Sequence, residues 1–298
     1  MESHSEGEWG WIEVIPAAFE YERAETAEHA VQLLDKHGDE AKLLAGGHSL
    51  LPLMRLRLAR PSVIIDIDRV PDLSYVRLDD DRIEIGALAR IADLARDPIL
   101  TEHCGILAHV CGQVGDPQVR HRATIGGSVS HGDPASDPPT ALLALDAELT
   151  VKGPKGVRTI PASTFFRSVF ETDLAPDEML MAVRVPRLGP GTGWAYQKFH
   201  RRAIDWAIVG VAAIVERDDG HVATARVGLT NMGSTPLRAS GVEAALAGAA
   251  VSAASLAAAA GHAAEGTNPP SDTNGSAEYR QELSKVLVRR ALEEALAG

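Results

Sequence analysis

Two stretches with paired glycines decide how this chain folds: Leu44-Ala45-Gly46-Gly47-His48-Ser49-Leu50 and Ala123-Thr124-Ile125-Gly126-Gly127-Ser128-Val129. In each, an apolar, strand-like run gives way to a turn that carries a small hydroxyl residue. Because glycine has no Cβ, its backbone amides can approach a ligand closely and converge on phosphate oxygens. One such loop alone is more often a plain tight turn between strands. Two of them can hold one pyrophosphate, which predicts a dinucleotide cofactor.

The loops match neither of the two common phosphate-binding patterns. The spacing G-x-G-x-x-G of a Rossmann turn is absent from both, and so is the Gly-Lys-Ser/Thr ending of a P-loop. If the loops bind a dinucleotide, they do so in a different fold.

The amino-acid composition argues against several classes of protein. The 298 residues carry a net charge of -12, which argues against a nucleic-acid-binding protein because such a protein needs a basic face. Two cysteines are too few for a disulfide framework and fit a reducing cytoplasm. The acidic start lacks the regions of a signal peptide, and the alanine-rich residues 242–264 favour a packed helix pair over a membrane span. We therefore expect a cytoplasmic protein.

The length predicts two or three domains, and the order of helical and strand-like runs along the chain indicates three units. Residues 1–59 form an N-terminal subdomain that contains the first loop, and residues 60–186 form a second subdomain that contains the other. The Pro- and Gly-rich stretch after residue 186 has linker chemistry and separates a C-terminal domain, residues 187–298.

Capping and periodicity predict individual elements within these units. Thr26 and Gly38 are placed to begin and end a helix. Alternating apolar residues on either side of Asp79-Asp80-Asp81 predict a hairpin, and a final helix is expected from about Ala277 to Leu296.

Further stretches carry a resemblance to a known family. They are Arg55-Leu56-Arg57-Leu58-Ala59-Arg60-Pro61, Gln118-Val119-Arg120-His121-Arg122, His131-Gly132-Asp133-Pro134-Ala135-Ser136-Asp137 and Tyr196-Gln197-Lys198-Phe199. With the two glycine loops, they closely resemble the FAD-binding medium subunit of molybdenum hydroxylases. The nearest branch looks like the medium chain of aerobic-type carbon monoxide dehydrogenase, which is related to the flavin domain of xanthine dehydrogenase. The resemblance covers nearly the whole chain.

The resemblance implies a fold and a set of cofactor residues. In this family a two-subdomain FAD-binding module of the vanillyl-alcohol oxidase/p-cresol methylhydroxylase type precedes an α+β C-terminal domain, and the flavin pyrophosphate lies between the glycine loops. Backbone amides of both loops are expected to be the main donors. Carried over by motif, the cofactor-binding residues are Ala45, Gly46, Gly47, His48, Ser49, Thr124, Ile125, Gly126, Gly127, Ser128, Asp137, Leu180, Lys198 and Trp206.

Four of these residues lie outside the loops. Asp137 resembles the family's acidic residue that contacts the cofactor, and Leu180 matches an apolar position of the flavin pocket. Lys198 matches a basic residue near the isoalloxazine, where a positive charge stabilises negative charge on the reduced ring. Trp206 stands where the carbon monoxide dehydrogenase branch often has an aromatic ring.

The resemblance also implies a role and partners. Substrate oxidation belongs to a molybdenum cofactor-binding large subunit, and electrons reach this subunit's FAD through two [2Fe-2S] clusters of a small subunit, in a heterotrimer or a dimer of heterotrimers. No catalytic or metal-ligating residue is expected in this chain itself. The alternatives are a self-contained FAD-dependent oxidase or reductase and a flavin-free assembly subunit.

Other candidate clusters favour structural roles. Cys104 and Cys111 lie on an apolar helical run with no metal-binding spacing, where thiols act as small hydrophobes. Asp133 with Asp137 has the residue types of an acid/base pair, although an Asp-Pro loop is ordinarily a turn. Trp9 and Trp11 are candidates for docking a partner or for packing on their own domain.

Overall fold

The computed structural model describes residues 15–297, so Trp9 and Trp11 lie outside the described residues. The strands are β1 Glu20–Arg23, β2 Ala41–Leu44, β3 Val63–Asp66, β4 Val76–Asp79, β5 Arg82–Gly86, β6 Glu148–Gly153, β7 Gly156–Pro161, β8 Phe166–Ser168, β9 Glu171–Thr172, β10 Met179–Pro186, β11 Thr192–Phe199, β12 Val209–Asp218, β13 His221–Thr230 and β14 Leu237–Arg238. The helices are α1 Ala27–His37, α2 Leu50–Arg55, α3 Ile91–Leu94, α4 Pro98–His103, α5 Gly105–Gln113, α6 Pro117–Arg122, α7 Ile125–His131, α8 Asp137–Ala144, α9 Ala162–Phe165, α10 Ser240–Leu246, α11 Ala253–Ala260 and α12 Ala277–Ala297.

The N-terminal sheet is parallel, with strand order β1-β3-β2. Helix α1 covers it with an apolar face, and the predicted caps are confirmed, because the Thr26 hydroxyl accepts from the His29 amide and Gly38 follows the helix. Strand β3 lies beyond the boundary that we drew at residue 60, so that boundary cuts through this sheet. Ligands of parallel sheets bind at the carboxyl ends of the strands, and the first glycine loop leaves the carboxyl end of β2.

The second sheet is antiparallel and holds the main core. Its order is β4-β5-β10-β6-β7, and the predicted hairpin is confirmed by the pairing of Leu78 with Ile83. Apolar side chains on one face, among them Ile85 and Val183, are fully buried in a core shared with helices α3, α4, α5, α7 and α8. The chain segment after β5 lies beside the second glycine loop, through a bridge between Arg90 and Thr124.

The C-terminal domain is an antiparallel sheet, β11-β12-β13-β14, covered by helices. Helix α12 packs so closely that a Cβ on Gly193 would lie 1.6 Å from the Ala295 carbonyl oxygen. The alanine-rich residues 242–264 contribute to the two short helices α10 and α11, as expected. Within residues 15–297, no helix combines the length and the apolar character needed to cross a bilayer.

Buried polar contacts join the C-terminal sheet to the second unit. The Thr230 hydroxyl donates to the Thr140 hydroxyl over 2.8 Å, and the backbone amide of Asn231 donates to the Pro134 carbonyl over 2.8 Å. Since Thr140 belongs to α8, these contacts bring β13 against the region after the second glycine loop, and β12 connects β13 to β11 in the same sheet.

Candidate cofactor-binding site

The first glycine loop, residues 45–49, presents a row of free amides. Gly47 has φ +80°, a left-handed conformation that favours glycine. The loop is held through its carbonyls, since Gly47 O accepts from the Leu51 amide over 3.0 Å and Ser49 O from the Leu53 amide over 3.3 Å. The four amides of residues 46–49 have no hydrogen-bond partner within residues 15–297. These N–H groups are therefore available to an anionic ligand.

The first glycine loop contacts the segment that leads into the second. A Cβ on Gly46 would lie 2.1 Å from the Arg122 carbonyl oxygen and 3.1 Å from the Cα of Ala123. The Arg90 guanidinium donates to that same carbonyl over 2.5 Å and forms an ion pair with Asp68. Only glycine at position 46 permits this approach, and the contact brings together the two segments that a dinucleotide hypothesis requires to be adjacent.

The second glycine loop, residues 124–128, is not a turn but the beginning of helix α7. Thr124 is the N-cap residue, and its hydroxyl accepts from the Gly127 amide over 3.1 Å. This cap offsets the low helix propensity of two glycines. The sequence had predicted a turn here because paired glycines usually mark one.

Four of the five backbone amides of the second loop already donate within the protein. Gly126 N bonds to Ala87 O over 2.9 Å, Ile125 N to Ala89 O over 3.0 Å, and Ser128 N to Thr124 O over 3.0 Å. Together with the Gly127 amide, this accounts for all four amides from Ile125 to Ser128. The expectation that both loops donate mainly through their backbone amides stays a prediction; in the second loop, helix formation and pairing with the segment after β5 already engage the amides of residues 125–128.

Asp137 and Lys198 form a buried ion pair. Lys198 Nζ lies 2.8 Å from Asp137 Oδ2 and also donates to the Gln113 carbonyl over 2.9 Å. The Tyr196 hydroxyl donates to Asp137 Oδ1 over 2.6 Å. The side chains of Lys198 and Asp137 are only 3% and 6% exposed. Burial raises the pKa of the Asp137 carboxyl, and the opposing effects of Lys198 and Tyr196 limit that rise.

The alternation of side chains along a strand explains why β11 contributes two of these groups. Tyr196 and Lys198 are two residues apart, so both side chains lie on the same face of the strand. Gly210 opposes Lys198 on β12, and a Cβ there would come within 2.9 Å of the Tyr196 hydroxyl. Motifs identified Asp137 and Lys198 separately, whereas Tyr196 was missed as a member of the site, although its i, i+2 spacing from Lys198 was a signal for it.

Leu180 and Trp206 lie in different surroundings. Leu180 is 5% exposed in the main core, where β10 shifts register against β6 between Leu180 and Ala182. Trp206 is 71% exposed in the segment between β11 and β12. A cavity of about 270 Å³ lies near this segment and is lined in part by Ile204 and Gln113, the residue whose carbonyl accepts from Lys198.

Both cysteines belong to the core. Cys104 and Cys111 are fully buried, and burial raises the pKa of the Cys104 thiol to about 12 and raises that of Cys111 as well. They are structural side chains of the helical layer.

Two family models match the chain. Residues 17–188 match the FAD binding domain in molybdopterin dehydrogenase, and residues 194–295 match the CO dehydrogenase flavoprotein C-terminal domain. The chain belongs to this family. It is an FAD-binding medium subunit of the molybdenum hydroxylases, a class of oxidoreductases that includes carbon monoxide dehydrogenase.

Relatives of known activity extend over almost the whole chain. The carbon monoxide dehydrogenase medium chain of Hydrogenophaga pseudoflava is 40% identical over 95% of this chain and 99% of its own length. The 6-hydroxypseudooxynicotine dehydrogenase complex subunit alpha of Paenarthrobacter nicotinovorans is 41% identical over 94% of this chain and 95% of its own. The solved carbon monoxide dehydrogenase of H. pseudoflava that lacks the Mo-pyranopterin moiety aligns with a TM-score of 0.93 at 42% identity, covering 95% of this chain and 99% of that one.

The fold and cofactor inferred from the resemblance are thus confirmed. Mixed helices and strands form an FAD-binding module followed by a C-terminal domain. The residues present also fit FAD, because FAD has a pyrophosphate and the amides of residues 46–49, which have no partner within residues 15–297, lie beside the segment that leads into the second loop.

Proposed function

We propose that this chain works in the cytoplasm as the electron-transfer subunit of a molybdenum hydroxylase complex. It takes electrons from the [2Fe-2S] clusters of a small subunit and passes them to an external acceptor. The observation that carries the proposal is the row of unpartnered backbone amides at residues 46–49, where Gly46 lies against Arg122 and Ala123, just before the second loop. A bound FAD supplies the redox chemistry that this role needs.

Each of these residues has its own part in binding the cofactor. The amides of residues 46–49 hold the pyrophosphate, and Thr124 with Ser128 contribute from the second loop. Lys198 is pinned between Asp137 and the Gln113 carbonyl, so its charge has a fixed position beside the flavin. Leu180 and Trp206 would supply apolar contacts to the flavin. A fixed charge requires no reorganisation when the charge of the cofactor changes.

Electrons must arrive from another protein. A [2Fe-2S] cluster takes four protein ligands, whereas this chain has two cysteines, both buried in the core. The complex therefore includes a molybdenum cofactor-binding large subunit and a small subunit with two clusters, as a heterotrimer or a dimer of heterotrimers. The similarity to the medium chains of such dehydrogenases supports this composition.

The cofactor part of the proposal is tested on the purified chain. We expect acid precipitation to release yellow FAD into the supernatant, since binding is noncovalent. A folded, colourless chain that takes up no added FAD would favour the flavin-free assembly subunit.

The partner part is tested by affinity purification from the native host, followed by metal analysis and reductive titration. Molybdenum and iron should accompany the chain, and the substrate of the complex should reduce the flavin. Recovery of a lone flavoprotein that turns over a small substrate without molybdenum or iron would favour the self-contained oxidase or reductase.

A further inference from the structure

His200 carries a buried ring nitrogen without a partner. Its Nδ1 atom is shielded from solvent and has no hydrogen-bond partner within residues 15–297. The other described side chains with such a nitrogen are all arginines, which bond or form an ion pair through another nitrogen of the same guanidinium. Because an unpaired buried polar atom is costly, native proteins pair nearly all of them with protein, water or ligand. The His200 ring therefore indicates a partner that the described chain does not supply.

The position of His200 places this nitrogen near the Asp137–Lys198 ion pair. His200 directly follows β11 and is two residues beyond Lys198, a spacing that favours the same face of an extended chain. Burial raises the pKa of the Asp137 carboxyl, and His200 is among the groups that oppose this rise, after Lys198 and Tyr196. The His200 ring is thus an electrostatic neighbour of the pair.

The segment that His200 begins also borders a cavity. Ala203 and Ile204 line the cavity of about 270 Å³ together with Gln113. The Gln113 carbonyl is the one that accepts from Lys198 Nζ over 2.9 Å. A ligand in this cavity is therefore a neighbour both of the group that holds Lys198 and of the segment that starts at His200.

Both ends of this segment are anchored. At its start, the Phe199 carbonyl accepts from the Ile208 amide over 2.8 Å. At its end, the side-chain amide of Asn231 donates to the Ala207 carbonyl over 2.8 Å, and the fully buried Arg280 donates to the Ile208 carbonyl. Groups fixed in this way hold a binding atom in place before the ligand arrives.

We propose that Nδ1 of His200 forms a hydrogen bond with the isoalloxazine ring of bound FAD. The inference rests on the proposed function, in which Lys198 holds a charge beside the flavin. The polar edge of an isoalloxazine has carbonyl oxygens and ring nitrogens that accept and one N–H that donates, so either tautomer of a neutral histidine finds a partner there. The nitrogen that is unpaired in the FAD-free chain is paired when the cofactor binds.

Flavin fluorescence titration of three variants of the full-length chain tests the contact. His200→Phe keeps an aromatic ring without the nitrogen and should weaken FAD binding about fivefold, as the loss of one hydrogen bond does. His200→Asn places an amide atom near the position of Nδ1 and should restore most of the affinity. His103→Phe is the matched control, since His103 is also half-buried but lies on α4, and it should bind FAD like the wild type.

The outcomes separate this inference from the proposed function. A wild-type chain that binds no FAD would contradict the proposed function itself. A wild-type chain that binds FAD with the same affinity as His200→Phe would overturn only the contact and would mean that water pairs with Nδ1.

Two further measurements distinguish a contact to the ring from a structural role. Denaturant unfolding of the FAD-free chain should show no loss of stability in His200→Phe, because the substitution removes an unpaired polar atom. Calorimetric titration with ADP, which has a pyrophosphate but no isoalloxazine, should give the same affinity for His200→Phe and the wild type, whereas Gly47→Ala should weaken both ADP and FAD. An unstable His200→Phe chain, or an equal loss of affinity for ADP and FAD in that variant, would contradict the proposal.

Discussion

The two glycine loops resemble each other in sequence and differ in what their amides do. In the first loop the amides of residues 46–49 are without partners in the described part of the chain, and the loop is held by its carbonyls. In the second loop the four amides from Ile125 to Ser128 all donate within the protein. We infer that the first loop has backbone amides available for a ligand, whereas those of the second loop stabilise the protein's own structure.

The difference arises from the position of each glycine pair relative to the next helix. The first pair ends in the left-handed Gly47 and α2 begins only at Leu50, so the loop amides lie outside the helix. The second pair lies inside α7, which begins directly after Thr124, and its first-turn amides are capped by Thr124 or paired with Ala87 and Ala89. A glycine pair alone does not distinguish these two outcomes.

We expect the largest loss of stability from Lys198→Met, which removes a buried positive charge beside Asp137, in the region after the second glycine loop. The substitution leaves the Asp137 carboxylate buried without its ion-pair partner, which typically costs about 3–5 kcal/mol. Because burial already raises the pKa of Asp137, the loss should shrink as the pH is lowered and the carboxyl is protonated. Denaturant unfolding of the FAD-free chain at several pH values measures this.

Lys36→Met is the matched control for that experiment. Lys36 also pairs with a carboxylate, Glu22 at 3.1 Å, but its side chain is 61% exposed. Exposed pairs contribute little to stability, so this variant should unfold like the wild type. Equal losses in the two variants would mean that the buried pair has no special role.

A smaller loss of stability is expected from Gly126→Ala in the second loop. The new Cβ would lie 2.6 Å from the carbonyl oxygen of Ala87, and overpacking of this kind costs about 1–3 kcal/mol. The loss should appear without FAD, because the contact is internal to the protein. Gly112→Ala, a helical glycine whose Cβ would meet nothing nearer than 4.0 Å, should leave the stability unchanged or slightly higher.

Of these substitutions, Gly47→Ala in the first loop should lower the free energy of unfolding least and weaken FAD binding most. Alanine at φ +80° is strained by about 1 kcal/mol, and its Cβ would meet only side-chain atoms, of Leu51 at 2.8 Å and of Leu44 at 3.4 Å. Gly38→Ala carries the same kind of strain at φ +56° with open space around it. Flavin fluorescence titration should show roughly tenfold weaker FAD binding, about 1.4 kcal/mol, for Gly47→Ala alone. Equal FAD affinity in both variants would remove the first loop from the site.

Much of the fold was predictable from local signals. Caps at Thr26 and Gly38, the hairpin at residues 76–86 and the final helix depend on nearest-neighbour chemistry, and each is confirmed. The boundary at residue 60 was harder, because β3 pairs with β1 and β2, which lie far away in sequence.

The sequence identified residues of the candidate site better than it predicted their hydrogen bonds and ion pairs. Motifs named Asp137 and Lys198, but their pairing depends on how β11 packs against α8, which no local pattern encodes. The role of Arg90, which donates to the Arg122 carbonyl and pairs with Asp68, had no sequence signal at all. The use of the second loop's amides likewise depends on Ala87 and Ala89, which lie much earlier in the chain.

Amide hydrogen exchange of the purified chain, with and without FAD, tests the difference between the loops most directly. Without FAD, the amides of residues 46–49 should exchange fast and those of residues 126–128 slowly, since only the latter are hydrogen-bonded. Added FAD should slow the first set strongly and change the second set little. Unchanged exchange at residues 46–49 on FAD binding, or new protection confined to residues 126–128, would contradict the assignment of the first loop as the phosphate-binding element.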